Sequence, residues 1–178
     1  MLETKKKERP TNWIINQIKL IAPKRKIQKL DFASGNGRNS IHLAEKDKII
    51  TAMDKDSKRL DDYRKFNYIN TICFDLETDE EWPLKKDYYD MIIVVNYLYR
   101  PRINNLINLL KTGGYLFYET FALGNEKYGS PKNPDYLLKD KELLTLFAKE
   151  NEILSYFNGV LADEQISIKQ RCLIKKTS

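Results

Sequence analysis

Three short segments place acidic side chains at or near the ends of expected strands. The first, Leu30-Asp-Phe-Ala-Ser-Gly-Asn-Gly-Arg-Asn39, joins Asp31 to a G-x-G turn. Gly35 and Gly37 allow a tight turn and close backbone approach, and a helix opening after them offers amide N–H groups and the positive end of its dipole. A dinucleotide fingerprint asks for a third glycine at position 40, which is Ser40, and does not require Asp31. Taken alone, a structural turn explains this G-x-G equally well. The second group is Asp54, 17 residues after Gly37, where a carboxylate can accept both hydroxyl protons of a ribose. A solvated turn aspartate beside Lys55 and Asp56 looks the same. The third is Phe74-Asp-Leu-Glu77, where Asp75 can accept from an adenine amino group while Leu76 covers the ring; a helix N-cap is the alternative. Each group has a bland explanation, but all three fall at successive strand ends in register.

The elements that must hold these groups follow from hydrophobic period. Residues 10–21 place Trp13, Ile14, Ile18 and Ile21 on one face of a first helix closed by Pro23. Strands are expected at Ile27 to Phe32, Ile49 to Met53, Ile69 to Phe74, Tyr89 to Val95 and Tyr115 to Thr120. Helices are expected at Arg38 to Glu45, from an N-cap at Ser57 to about Lys65, at Arg102 to Leu110 and at Asp140 to Glu150. The unbroken Met91-Ile-Ile-Val-Val95 run reads as a central parallel strand buried on both faces. Gly113-Gly114 precede the fifth strand. Residues 121–138 form a long loop containing glycine and proline, a type that is usually functional or mobile. Ile153 to Phe157 and Gln165 to Ile174 are joined by a connection too short for a parallel crossover, so they form an antiparallel hairpin. The pattern is a three-layer α/β sandwich, mostly parallel, with a basic flexible tail at 1–9 and one domain at 10–178.

Composition narrows the classes. The chain has 178 residues, 42% hydrophobic and 31% charged, a globular mix with room for one core. No apolar run reaches the ~18 residues of a membrane helix, and the charged N-terminus lacks the apolar stretch of a secretory signal. Two distant cysteines, Cys73 and Cys172, exclude a disulfide scaffold and a Cys/His metal site, and point to the cytoplasm. Cys73 is expected in the core. The net charge is +6, but the lysines are scattered and arginine occurs at only eight positions. The charge therefore reads as solvated surface ahead of a nucleic-acid footprint, with Lys5-Lys-Lys7, Lys24-Arg-Lys26 and Lys175-Lys176 as the dense clusters.

Asp31, Gly35-x-Gly37, Asp54, Asp75-Leu76 and Gly113-Gly114 together resemble class I S-adenosylmethionine-dependent methyltransferases over essentially the whole chain. Gly35-Asn-Gly-Arg-Asn-Ser-Ile-His-Leu-Ala44 is similar to the small, single-domain tellurite-resistance (TehB-like) enzymes. Asn96-Tyr-Leu-Tyr-Arg-Pro101 and Tyr118-Glu-Thr-Phe-Ala-Leu-Gly-Asn-Glu-Lys-Tyr-Gly129 look like a bacterial group of small methyltransferases. The resemblance implies a Rossmann-like sheet of seven strands in the order 3-2-1-4-5-7-6 with strand 7 antiparallel. It also implies S-adenosylmethionine as cofactor and S-adenosylhomocysteine as product. Asp31 would hold the methionine amino group, and Ala33, Ser34, Gly35, Gly37 and Arg38 would line that moiety. Asp54 with Lys55 would take the ribose, Asp75 and Leu76 the adenine, and Asn96 and Tyr97 the pocket after strand four. One position departs from the family: Ala33 stands where glycine is usual and adds a methyl group where the backbone should approach the methionine moiety.

Methyl transfer from a sulfonium needs alignment and water exclusion, and a base only if the acceptor must lose a proton. Glu119, Tyr97 and Arg100 are the catalytic-side candidates, with Tyr99, Glu126 and Tyr128 on the same rim. Glu119 is preferred because it ends strand five; Arg100 would bind a substrate anion or pair with a carboxylate. His42, the single histidine, reads as structural. The acceptor is expected to be a small molecule, with Phe121, Tyr128 and Tyr136 covering it and Gly124 and Gly129 as hinges. RNA and a non-catalytic binding role are the alternatives. No metal and no membrane contact are expected, and the chain is expected to be a monomer or weak homodimer.

Overall fold

The computed structural model describes residues 9–21, 27–44, 49–162 and 165–178. The expected basic tail, apart from Arg9, and the Lys24-Arg-Lys26 cluster lie outside the described residues. Seven strands form one sheet in the order 3-2-1-4-5-7-6, as the resemblance implied. Chain contacts cluster into two units, residues 1–78 and 79–178.

In the first unit, α1 (Asn12–Ile21) is followed by β1 (Lys29–Phe32), α2 (Arg38–Leu43), β2 (Ile50–Asp54), α3 (Ser57–Arg64) and β3 (Ile69–Cys73). β1 pairs parallel with β2, and β2 with β3, so Asp31, one residue before the end of β1, and Asp54, the last residue of β2, lie near the same end of neighbouring strands. Leu30, Phe32, Ile50, Ala52 and Met53 are buried along these strands. Two local expectations are corrected. Asp56, not Ser57, caps α3, because its carboxylate accepts from the Lys58 and Arg59 amides. Cys73 is exposed rather than in the core. It ends β3, an edge strand with one neighbour and a mostly open burial pattern.

In the second unit, β4 (Tyr89–Val95) leads through a 3₁₀ turn at Arg100–Arg102 to α4 (Asn105–Leu109) and β5 (Leu110–Phe121). α5 (Glu142–Phe147) and the hairpin of β6 (Asn151–Ala162) and β7 (Ile166–Lys176) follow. Met91 to Val94 are fully buried, as a central strand requires. β5 runs parallel to β4, and β7 lies antiparallel to both β5 and β6. The helix expected at 102–110 is shorter, because Pro101 sits in the 3₁₀ turn and β5 already begins at Leu110. Gly113 therefore lies inside β5, at φ +79°, within the register shift that sets Leu110 opposite Tyr89 and Tyr115 opposite Met91. α5 also falls short of its expected bounds, while both hairpin strands exceed theirs. Among the described residues no helix is long and apolar enough to cross a membrane.

Candidate functional site

The first unit gathers Asp31, the Ala33–Gly37 turn and Asp54. Asp31 is 2% exposed. Its Oδ2 accepts a 2.6 Å hydrogen bond from Ser40 Oγ on α2. Burial pushes its pKa up to about 7, against the opposing pull of the Ser40 hydrogen bonds and the Arg38 charge. A carboxylate in this setting gains most from a cation brought close to it.

The turn after β1 is built from left-handed backbone. Ala33, Gly35 and Gly37 have φ of +56°, +55° and +71°. For glycine this is free; for Ala33 the left-handed region costs about 1 kcal/mol. The family's usual glycine thus answers to backbone conformation as well as to space. Asp54 locks the turn in place: its Oδ2 accepts from the Gly35 amide at 2.8 Å and its Oδ1 from the Asp56 amide at 3.0 Å. Ser34 N–H donates to the Met53 carbonyl at 2.9 Å, tying the same turn to β2.

A residue that the sequence reading missed supports this turn. Tyr63 on α3 is fully buried. Its hydroxyl lies 2.7 Å from Ser34 Oγ and donates to the Gly35 carbonyl at 3.2 Å. A Cβ at Gly37 would come within 2.6 Å of the Tyr63 ring. Burial holds the phenol above its ordinary pKa, so it is a neutral donor at physiological pH. One signal was available in the sequence: Tyr63 falls three residues after Leu60, on the apolar face of α3.

The remaining nucleoside-side expectations sit on the following loop. Asp75 is exposed, accepts from the Glu77 amide at 3.1 Å and lies 3.9 Å from Lys55 Nζ. Leu76 is buried at 4% exposure.

The second unit holds the other candidates. Asn96 follows β4 with φ +56°, a conformation asparagine tolerates, and its amide donates to the Glu119 carbonyl at 2.8 Å. Lys169 Nζ on β7 donates to Asn96 Oδ1 and to Glu119 Oε1, each at 2.8 Å, and stands 4.7 Å from the Phe121 ring centroid. Arg171 Nε donates to Glu119 Oε2 at 2.7 Å. Glu119 is 2% exposed, so both carboxylate oxygens are engaged by cations in a buried setting. It is the anchor of a charge cluster. Lys169 and Arg171 were absent from the expected site.

Arg100 is likewise engaged within the fold. Nε and Nη2 grip the two Glu142 oxygens at 2.6 and 2.9 Å, while Nη1 and Nη2 donate to the Asp135 and Leu137 carbonyls. Burial works against ionising Glu142, but the bonds from Arg100 and the Lys139 amide outweigh it and hold its carboxyl below the usual range. The guanidinium therefore straps the 134–142 segment to the end of β4. The Tyr97 carbonyl accepts from the buried Tyr118 hydroxyl at 2.9 Å. His42 is exposed on α2. Tyr128 and Tyr136 of the 121–138 segment are both about half exposed, at 49% and 50%.

The fold has counterparts among known proteins. Residues 4–166 match the family model described as tellurite resistance protein TehB. The crystal structure of TehB from Haemophilus influenzae superposes with a TM-score of 0.73 at 22% identity, covering 94% of this chain. The chain spans 62% of the length of that protein. A methyltransferase from Methanosarcina mazei described as S-adenosylmethionine-dependent gives 0.70 at 15% identity, covering 96% of this chain and 99% of its own. A TehB-like methyltransferase from Corynebacterium glutamicum gives 0.65 at 18%, covering 91% and 86%. A search of curated proteins found no match. The chain belongs to the family whose model is described as tellurite resistance protein TehB.

Proposed function

We propose that this protein transfers a methyl group from S-adenosylmethionine to a small-molecule acceptor, with residues 10–178 as its methyltransferase domain. The observation that carries the reading is the buried Asp31 carboxylate beside the left-handed Ala33–Gly37 turn. The donor set fits the cofactor: a carboxylate raised to about 7 by burial is a ready partner for the methionine ammonium. When bound, the cofactor supplies a methyl group already activated on a sulfonium. Asp31 binds the ammonium, and the backbone of Ala33 to Gly37, with Ser34 and Arg38, lines the methionine moiety. Asp54 keeps lone pairs beyond its two amide bonds and takes the ribose hydroxyls, with Lys55 alongside. Asp75 and Leu76 contact the adenine. Asn96, held by Lys169, lines the pocket after β4, with Tyr97 on the acceptor side. Glu119 and Arg100 act by fixing the acceptor-side frame, since their charges are already committed.

A small acceptor is favoured over RNA by the pairing of five cations in the second unit. Arg100 pairs with Glu142, Lys111 with Asp90, Lys169 and Arg171 with Glu119, and Lys176 with Asp87. Cations tied to carboxylates within the fold do not form the phosphate track that polyanion binding needs.

Titration calorimetry with S-adenosylhomocysteine tests the cofactor half. One-to-one binding is expected, and Asp54→Ala should lose it; absence of heat with the native protein overturns the reading. Tritiated S-adenosylmethionine with lysate tests the acceptor half. Label should enter the small-molecule fraction, and label in RNA would overturn the acceptor class.

A further inference from the structure

The turn that carries the cofactor-side residues is held against its own preference. Ala33 sits at φ +56°, where a side chain crowds the following carbonyl. With that strain in place, the turn stays in shape only if other groups over-determine it. Asp54 supplies one restraint through the Gly35 amide. The Ser34 amide supplies a second through the Met53 carbonyl, and a third comes from α3. The Tyr63 hydroxyl bridges Ser34 Oγ and the Gly35 carbonyl, and its ring fills the space that opens at Gly37. Tyr63 thus touches three of the five residues in the turn, all from one side.

Proton bookkeeping sharpens the role. Three contacts run through this cluster: Ser34 Oγ to the Met53 carbonyl at 3.3 Å, Ser34 Oγ to Tyr63 at 2.7 Å, and Tyr63 to the Gly35 carbonyl at 3.2 Å. Two hydroxyl protons serve all three, so one contact is without a proton at any instant. When Ser34 donates to Tyr63, the tyrosine proton pins the Gly35 carbonyl. When Tyr63 donates to Ser34, the serine proton turns to Met53. Either arrangement needs the Tyr63 oxygen.

We infer that Tyr63 is a positioning residue for S-adenosylmethionine: it holds the Ala33–Gly37 turn in its binding shape against the strain at Ala33. The inference rests on the cofactor reading above. Its consequence is energetic coupling between a buried hydroxyl and a backbone strain. Without the hydroxyl, the strained Ala33 relaxes and binding must restore the turn. With glycine at position 33, the left-handed conformation is free and the turn has less reason to move.

The test is a double-mutant cycle on the whole protein: wild type, Tyr63→Phe, Ala33→Gly and the double variant. Phenylalanine keeps the ring against Gly37 and removes one oxygen, so folding is preserved; thermal unfolding of each variant verifies this. The readout is the dissociation constant for S-adenosylhomocysteine by calorimetry. Tyr63→Phe should weaken binding roughly tenfold, as expected for a lost bridging hydroxyl. The same change made on Ala33→Gly should cost about threefold or less. That rescue is the signature of positioning, which a merely structural tyrosine would not give. Equal losses in both backgrounds, or a lowered melting temperature with unchanged affinity, would overturn the inference. Asp54→Ala separates the two failures. If the wild type binds and Asp54→Ala does not, the cofactor reading stands whatever Tyr63 does; if the wild type does not bind, both fall.

Discussion

Replacing Asp31 with asparagine should make the ligand-free protein more stable at alkaline pH while removing its grip on the cofactor. The folded protein raises this carboxyl from an ordinary 3.8 to about 7, chiefly through burial. Between those values the folded state holds a proton that the unfolded chain releases. The stability this contributes is full below pH 3.8, declines as pH rises, and is lost above about 7. A gap of about 3 pH units at ~1.4 kcal/mol per unit corresponds to about 4 kcal/mol, the cost of ionising Asp31 inside the fold. An asparagine side chain cannot ionise and still accepts from Ser40, so the Asp31→Asn variant avoids that cost. Urea unfolding at pH 5, 6, 7 and 8 without ligand measures it. The variant's advantage should grow with pH, by roughly 2 kcal/mol or more between pH 5 and 8. Saturating S-adenosylhomocysteine should reverse the order, because its ammonium partners the ionised carboxylate. Wild-type affinity should accordingly drop about tenfold for each pH unit below 7. A stability difference that stays constant from pH 5 to 8 would refute the reasoning, since it would mean that Asp31 is ionised throughout.

The second unit yields two further expectations. Glu119→Gln removes the carboxylate charge that Lys169 and Arg171 both face and should cost about 3 kcal/mol by chemical denaturation, part of it restored by adding Lys169→Met. Arg100→Lys cannot reproduce the two-point grip on Glu142 or reach both carbonyls, so it should lose about 2 kcal/mol and open the 121–138 segment to proteases, read by limited digestion and mass spectrometry.

Local chemistry made much of the first unit legible. Strand-sized runs, one carrying Asp31 near its end and the other just before Asp54, needed only the logic of parallel connections to bring the two acids to the same end of the sheet. The β6–β7 hairpin was legible because its connection is too short for anything but an antiparallel turn. The limits of elements were harder to read, because competing local bonds set them: the Asp56 carboxylate took the cap from Ser57, and β5 claimed Leu110 from the expected helix and Lys111 through Gly114 from the connection after it. Tertiary pairing decided the rest. Glu119 meets Arg171 because antiparallel register sets them opposite each other, 52 residues apart in the chain, and Lys169 reaches the same carboxylate from two residues away on the same strand face. Nothing in the local sequence around Glu119 announces those cations. Cys73 is open to solvent because β3 has a neighbour on one side only, a fact of strand order rather than of residue type. Tyr63 supports the glycine turn 28 residues before it because α3 packs back over the strand that feeds it. Periodicity identifies a buried face; which backbone that face touches is settled only when the strands are in register.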